Sequence, residues 1–141
     1  LTPQQIAAQI LDLSKWPEFA GFGPLPGIRN ASFESRTPDV VGTRIRVTNT
    51  DGSTHVEEIT VWQPDRIIQL RMQGFSPPLS RLATHFVETW EFNDSSGATD
   101  VRRSFELHPR GWWTKPALWM IARLLKRAIS KHLRQLREAA G

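Results

Sequence analysis

Residues 114–140 read TKPALWMIARLLKRAISKHLRQLREAA, and this stretch decides the fold. With 100° between successive residues, apolar side chains gather on one side and cationic ones on the other, which predicts one long amphipathic helix. Thr114 can cap this helix, Pro116 suits its first turn, and Gly141 lies just past its end. The apolar side consists of Leu118, Ile121, Ala122, Leu125, Ala128, Ile129, His132 and Leu136, and the polar side of Arg123, Lys126, Arg127, Ser130, Arg134 and Arg137.

A helix of this length, roughly 40 Å, needs a broad apolar partner. From Ile28 onward the hydrophobic period is two, which is typical of half-buried strands. We therefore expect an α+β domain in which a curved antiparallel sheet wraps around the C-terminal helix. The predicted strands are 28–36, 40–50, 53–63, 66–74, 84–93 and 98–108. Before them, a helix runs from Thr2-Pro3 to about Leu13, residues 14–19 form a short helix or turn with Trp16 buried, and residues 21–27 form an ordered loop.

The last predicted hairpin places two opposite charges on one face. If residues 94–97 form a four-residue loop, Asn93 pairs with Ala98 and Glu88 lies directly opposite Arg103. Two interpretations of this pair stay open: an ion pair that neutralises itself in an apolar wall, or a polar hook for a ligand carbonyl or hydroxyl. The same face is predicted to point to the core because it also carries Phe86, Trp90, Phe92, Val101, Phe105 and Leu107.

Asp51-Gly52 predicts a two-residue hairpin turn between the second and third strands. That turn would set Arg46 opposite Glu57 and Thr48 opposite His55. Arg46 and Glu57 then allow the same two interpretations, an ion pair or a ligand hook. The inward face stays open between two sets: Ile59 and Val61 with Arg46 and Glu57, continued by Ile68, Leu70 and Met72, or Ile45, Val47, Val56 and Trp62.

Composition excludes several classes of protein. The 141 residues suffice for one domain with a core, and a hydrophobic content of 39% with 23% charged residues is typical of a globular chain. Zero cysteines exclude disulfides, thiolate catalysis and zinc–thiolate sites. No run of about 18 apolar residues and no signal-peptide pattern is present, so we expect a cytoplasmic protein without a membrane span. The sequence leaves the oligomeric state open.

The net charge of +4 is unevenly distributed. From Arg110 onward there are eight Lys or Arg and one acid, whereas the preceding residues carry ten Lys or Arg and thirteen acids. One interpretation is a solvated helix face. A second is docking to an anionic membrane surface, because Trp112, Trp113 and Trp119 adjoin these cations. A pI of 10.3 could suggest nucleic acid, but the cations are confined to one helix face and we expect no nucleic-acid partner.

His132 falls within the apolar side of the long helix. It can be a satisfied core histidine, or a cavity-lining donor and general acid or base, for which a pKa near 7 is suitable. His55, His85 and His108 form no HxxxH or HExxH spacing, so we expect no metal site. The sequence has no G-x-S-x-G elbow and no phosphate-binding glycine loop, and we expect no cofactor.

Two helical segments, consecutive antiparallel strands and one long C-terminal helix make the helix-grip layout. In this order, the local sequence resembles the SRPBCC (START/Bet v 1-like) superfamily, and within it the polyketide cyclase/dehydrase group. The stretches that carry the resemblance are DLSKWPEF at 12–19, VGTR at 41–44, WQPDR at 62–66, TWEF at 89–92 and GATDV at 97–101. Members usually have a strand before the first helix, and residues 1–3 resemble only its tail. We therefore expect that a preceding segment has been removed and that strand 98–108 has an exposed edge.

The resemblance implies a cavity between the sheet and the long helix that holds an apolar or aromatic small molecule, polyketide- or lipid-like. Three functions stay open: a binding or carrier protein, a polyketide cyclase or dehydratase that uses a cavity histidine and carboxylate, and a membrane-docking lipid carrier. The candidate ligand-binding residues are Glu88, Arg103, Trp90, Phe86, Phe105, Leu70, Met72, His132, Leu125 and Ile129.

Overall fold

The structure is a computed structural model that describes residues 2–95 and 98–140. The predicted loop residues Ser96 and Gly97 and the predicted helix stop at Gly141 lie outside these ranges. The helices are α1 (Pro3–Leu11), α2 (Leu79–Leu82) and α3 (Lys115–Ala140), with 3₁₀ helices at Leu13–Glu18 and Trp112–Thr114. The strands are β1 (Ile28–Ser35), β2 (Arg44–Asn49), β3 (Thr54–Gln63), β4 (Ile67–Gln73), β5 (Ala83–Ser95) and β6 (Ala98–Pro109).

The six strands form one antiparallel sheet in the order β1-β2-β3-β4-β5-β6, in which β6 is an edge strand, as expected. Helices α1 and α3 pack on its inner face. Ile6 and Ile10 of α1 and Leu136 of α3 share one apolar cluster with the inner side chains of β2 to β5, and Leu118 and Leu125 of α3 share a second with Phe86. This arrangement confirms the predicted α+β helix-grip fold.

Helix ends follow the local sequence only in part. Thr2 caps α1 as predicted: its hydroxyl accepts from the Gln5 amide while the Gln5 side chain accepts from the Thr2 amide, which forms a capping box. Thr114, in contrast, donates its hydroxyl to the Gly111 carbonyl at 2.8 Å and closes the 3₁₀ turn before α3. Trp16 is half-buried rather than buried, and its indole donates to the Ile10 carbonyl at 3.0 Å.

The predicted register of the β2–β3 hairpin is wrong by one residue. Thr48 pairs with Thr54, and the Asn49 amide donates to the Ser53 carbonyl, so the loop has three residues instead of two. The loop is possible because Gly52 adopts φ 86°, the left-handed conformation typical of three-residue hairpin loops. A one-residue slip in the pairing exchanges which side chains of one strand lie on the same face as given side chains of the partner strand. Arg46 is therefore exposed, 3.9 Å from Glu34, while Glu57 points inward.

The inner face of β2 and β3 combines parts of both predicted sets. Ile45 and Val47 are fully buried and face inward together with Glu57 and Ile59. A register shift between Ile59 and Val61 inserts one extra residue in β3, so that Trp62 pairs with the buried Ile68. The predicted start of β2 was also wrong: residues 40–43 form a turn in which Val40 and Gly42 have positive φ.

The β5–β6 hairpin differs from the prediction by two residues. Both strands continue until Ser95 pairs with Ala98, so the four-residue loop predicted at 94–97 was wrong. Trp90 pairs with Arg103, and Glu88 pairs with Phe105. A shift of two residues preserves the face of every side chain because the strand period is two. Glu88 and Arg103 are consequently diagonal neighbours on the inner face instead of direct opposites.

Candidate functional site

A cavity of about 390 Å³ lies between the sheet and the helices α1 and α3. Its sheet side is formed by inner residues of β3 to β6, including Leu70, Phe86 and Phe105. The opposite side is formed by Ile121 and Leu125 of α3 and by residues of α1, α2 and the 20–27 loop. Most of the lining side chains are apolar or aromatic, so the cavity suits a largely apolar molecule.

The loop 20–27 reaches the cavity because its backbone folds tightly upon itself. A Cβ atom on Gly27 would lie 2.6 Å from the carbonyl carbon of Ala20, and one on Gly21 would lie 2.3 Å from the Leu25 carbonyl oxygen. Only glycine permits this approach, and Gly21 also adopts φ 75°. The compact loop places Leu25 and its flanking prolines in the cavity wall.

Glu88 and Arg103 form a buried ion pair in the cavity wall. One carboxylate oxygen, Glu88 Oε2, accepts from Arg103 Nη2 at 2.7 Å and from Arg103 Nε at 2.9 Å. The side chains are only 7% and 9% exposed. The predicted contact is present although the register differs, because the long arginine side chain spans the diagonal between neighbouring strands.

Trp90 supports the same pair from the next inward position of β5. Its indole Nε1 donates to Glu88 Oε1 at 3.1 Å, so both carboxylate oxygens are hydrogen-bonded. The Arg103 guanidinium carbon lies 4.4 Å from the centre of the Trp90 ring, which adds a cation–π contact. Burial raises the pKa of Glu88, and the opposing attraction of Arg103 and the indole hydrogen bond favour its ionised form.

His132 extends this network to α3. Arg103 Nη1 lies 2.9 Å from His132 Nδ1. A guanidinium can only donate, so Nδ1 accepts and the proton of the neutral imidazole is on Nε2. Burial, followed by the nearby charge of Arg103, lowers the pKa of His132 to about 4. The imidazole is therefore neutral at pH 7, and the pKa near 7 that a general acid or base would need is not present.

The network leaves donors available in the cavity wall. Arg103 has five N–H groups, and its contacts to Glu88 and His132 use three of them. His132 Nε2–H has no hydrogen-bond partner among the described residues. In the same described part of the chain, every side-chain nitrogen or oxygen that is fully buried has a partner, so the unpaired Nε2 of His132 is not fully buried. The unused donors are thus suited to an acceptor group on a bound molecule.

A second polar pair, His55 and Glu57, lies in the same cavity wall. His55 Nε2 is 2.9 Å from Glu57 Oε2, and both residues are 5% exposed. The other ring nitrogen, His55 Nδ1, lies 3.3 Å from the side-chain nitrogen Nδ2 of Asn49, which can donate to it. Both ring nitrogens of His55 therefore have a polar partner within the cavity wall.

Nine of the ten candidate ligand-binding residues line the cavity. The exception is Ile129, which packs in the apolar cluster beside the cavity with Phe86 and Leu125. Glu57 was predicted only as a possible hook together with Arg46, and neither Glu57 nor His55 was among the ten candidate residues, although residues two apart on a strand share a face whatever the register. Phe19 and Leu25 were also missed. Phe19 ends the predicted short helix or turn and Leu25 lies in the loop rich in glycine and proline, and neither segment has a periodicity that indicates burial.

Stability is expected to fall as the pH is lowered from 6.5 to about 4. In that window the unfolded chain binds a proton at His132 that the folded protein excludes, because the folded pKa is about 4 against the ordinary 6.5. After allowance for partial exposure of the ring, we expect a loss of roughly 1–2 kcal/mol. Urea unfolding followed by circular dichroism at a series of pH values measures this loss.

A pair of histidine variants separates this effect from general acid sensitivity. His132→Asn keeps an acceptor near Arg103 but cannot titrate, so it should flatten the pH dependence in this window. His85→Asn is the comparison: desolvation also lowers the pKa of His85, but the ring lies outside the cavity, and this variant should flatten the pH dependence less than His132→Asn does. An unchanged slope in His132→Asn would contradict the assignment.

Comparison with known proteins places this architecture in a family. A family profile described as "Polyketide cyclase / dehydrase and lipid transport" matches residues 1–141. No curated protein sequence matches the chain.

Solved structures share the fold at low identity. Ara h 8.0201 is 14% identical, with a TM-score of 0.61, and the alignment covers 95% of this chain and 91% of that one. The ginseng major latex-like protein 151 from Panax ginseng is 16% identical, with a TM-score of 0.54 and 88% of both chains covered. The di-domain ARO/CYC StfQ from the steffimycin biosynthetic pathway is 17% identical, with a TM-score of 0.55, and 94% of this chain aligns with 42% of that chain. The structural similarity concerns the fold alone, but the family profile spans all 141 residues, and the protein therefore belongs to the polyketide cyclase/dehydrase and lipid transport family.

Proposed function

We propose that the chain is one ligand-binding domain that holds a hydrophobic or aromatic small molecule, polyketide- or lipid-like, in the cavity between the sheet and α3. The observation that carries the proposal is an apolar cavity of about 390 Å³ with a polar network at one wall. Pockets that bind small molecules combine these two features. The ten candidate residues named from the sequence, apart from Ile129, supply the lining.

The chemistry of the wall indicates which ligand groups fit. Unused N–H groups of Arg103 and the Nε2–H of His132 would donate to a carbonyl, carboxylate or other acceptor. Glu57 Oε1, whose partner oxygen contacts His55, would accept from a ligand hydroxyl. We infer a mostly apolar ligand with an acceptor group placed toward Arg103.

Binding is better supported than cyclisation or dehydration. Proton transfer near neutral pH is most efficient when the catalytic pKa lies near that pH. His132 has a pKa of about 4, and its Nδ1 is occupied by Arg103. Glu88 has both oxygens hydrogen-bonded, which favours a structural and ligand-orienting role.

Two fluorescent dyes that differ in one group test the proposal. N-phenyl-1-naphthylamine is neutral, and 1-anilinonaphthalene-8-sulfonate adds an anionic acceptor to nearly the same rings. We expect saturable binding of both dyes to the wild-type protein. In Glu88→Gln/Arg103→Met, the affinity for the sulfonate dye should fall about tenfold or more, whereas the affinity for the neutral dye should change by less than about threefold.

Each outcome decides one part of the proposal. If neither dye binds saturably to the folded wild-type protein, the proposal that the cavity binds a small molecule is wrong. An equal loss of affinity for both dyes in a folded variant would overturn the assignment of Arg103 as the hook. Native mass spectrometry of the purified protein would identify any ligand that is retained from the host.

A further inference from the structure

The N-terminal end of α3 carries an exposed apolar surface that the cavity does not use. Trp112, Trp113, Trp119 and Met120, here called the tryptophan tip, are 80%, 65%, 63% and 62% exposed. Isolated exposed apolar residues are common, but four large ones within nine residues form a patch that indicates an interaction surface. Tryptophan in particular favours the boundary between water and lipid, because its ring is apolar while its N–H remains a donor.

Cations continue from this tip along the outer face of α3. Arg123, Lys126, Arg127, Lys131 and Arg134, here called the cationic stripe, are all exposed. Together with Phe22 they line a shallow groove. Within residues 2–95 and 98–140, no member of the stripe forms a salt bridge with a carboxylate. Their charge is thus available to an external anionic surface.

Aromatic and cationic side chains are in contact both where the tip meets the stripe and along the groove beside Phe22. The Arg123 guanidinium lies 4.9 Å from the Trp119 ring centre, and that of Arg127 lies 5.6 Å from the Phe22 ring centre. The guanidinium groups therefore remain beside apolar rings instead of spreading into solvent. A partner must accept both the apolar rings and the positive charges within the same area.

We propose that the tryptophan tip and the cationic stripe together dock the protein on an anionic lipid bilayer. Anionic headgroups attract juxtaposed Lys and Arg, while aromatic rings partition into the interface below them. A nucleic acid duplex would attract the cations through its backbone, but its stacked bases would give the four exposed apolar side chains no apolar layer to enter. Among the described residues, no helix is long and apolar enough to cross a membrane.

The tip is also connected to the cavity wall. The Arg110 amide donates to the Leu82 carbonyl at 3.0 Å, and the Arg110 guanidinium donates to the Ser80 carbonyl. These contacts join the segment that leads into the tip to α2, whose Leu79 and Leu82 line the cavity. Docking would bring this end of the cavity to the bilayer, an implication that rests on the proposed function.

Cosedimentation with lipid vesicles tests the docking surface. We expect wild-type protein to bind vesicles of phosphatidylcholine with phosphatidylglycerol at low salt, to be released by high salt, and to ignore pure phosphatidylcholine. Arg127→Glu/Arg134→Glu should weaken binding about tenfold or more. Arg71→Glu/Arg102→Glu is the matched control, because it changes the net charge equally with exposed arginines of the sheet; it should weaken binding less than about threefold.

A second variant separates insertion from charge. Trp112→Ala/Trp119→Ala should lower vesicle affinity and reduce the blue shift of tryptophan fluorescence on binding, while it leaves dye binding in the cavity unchanged. Wild-type protein that ignores anionic vesicles at low salt would overturn the proposal. An equal loss of vesicle affinity in the two arginine double variants would also overturn it. Preferential binding to polyglutamate over vesicles would overturn it as well, because it would assign the surface to an acidic protein. Dye binding is measured separately, so failure of docking is distinguishable from failure of the cavity.

Discussion

Arg103→Met is expected to destabilise the protein by about 3 kcal/mol or more, because it leaves the Glu88 carboxylate buried without its counter-charge. Methionine retains most of the apolar stem of arginine, so little of this loss should come from an empty space. Arg102→Met is the matched control: Arg102 is the next residue of β6 but is exposed, and its replacement should change the free energy of unfolding within about 0.5 kcal/mol. Urea unfolding at pH 7 measures both variants.

The acid dependence of the Arg103→Met variant provides an independent readout. Burial already raises the pKa of Glu88 in the native protein, and loss of Arg103 removes the attraction that opposes this rise. If the pKa of a carboxyl is higher in the folded than in the unfolded protein, the free energy of unfolding falls as the pH rises from the unfolded to the folded pKa. The penalty of Arg103→Met should therefore shrink as the pH falls toward the unfolded pKa of Glu88.

The double variant Glu88→Gln/Arg103→Met should recover much of the lost stability. The glutamine is uncharged, yet its carbonyl oxygen can still accept from the Trp90 indole, whose present bond to Glu88 is 3.1 Å. A buried ion pair often contributes little relative to a well-packed neutral pair. If the double variant is as unstable as Arg103→Met alone, the charge-pair explanation is wrong, and the arginine stabilises the protein through its contacts with His132 and Trp90.

The two hairpins explain why the sequence located one polar pair and misplaced another. Around residues 94–97 the predicted pairing was two residues off, and a shift of two keeps Glu88 and Arg103 on one face. Around Asp51-Gly52 it was one residue off, which wrongly joined Arg46 to Glu57. The cause is local: Asp-Gly is compatible with loops of two or three residues, and the hydrogen bonds from Ser53 to Asp51 and from Asn49 to Ser53 accompany the longer one.

Periodicity identified the elements but not the loop that completes the cavity. The amphipathic pattern of residues 114–140 and the period of two from Ile28 were sufficient for the helix-grip fold. Phe19 and Leu25, in contrast, are in the cavity wall because of long-range contacts, such as the Thr50 amide bond to the Gly27 carbonyl at 2.9 Å. A chain segment without regular structure carries no periodic signal for such contacts. Strand parity correctly placed Glu57 on one face with Ile59, and the same parity would have added His55 to that face.

Leu70→Trp should narrow the cavity and weaken binding of N-phenyl-1-naphthylamine, lowering its affinity by about tenfold or more. Leu70 is packed in the apolar core cluster but also lines the cavity, so the additional atoms of an indole can extend into the cavity. We expect the free energy of unfolding to change by less than about 1 kcal/mol. Fluorescence titration and urea unfolding of the same preparation measure the two effects.

Ile68→Trp is the matched control for this substitution. Ile68 lies two residues earlier on β4, on the same inner face, but it is 0% exposed and does not line the cavity. The larger ring must displace packed neighbours, which costs about 1–3 kcal/mol. Equal destabilisation by the two tryptophans would mean that no space exists beside Leu70. Undiminished dye binding to a stable Leu70→Trp variant would place the dye away from Leu70, because the indole would occupy the part of the cavity beside that residue.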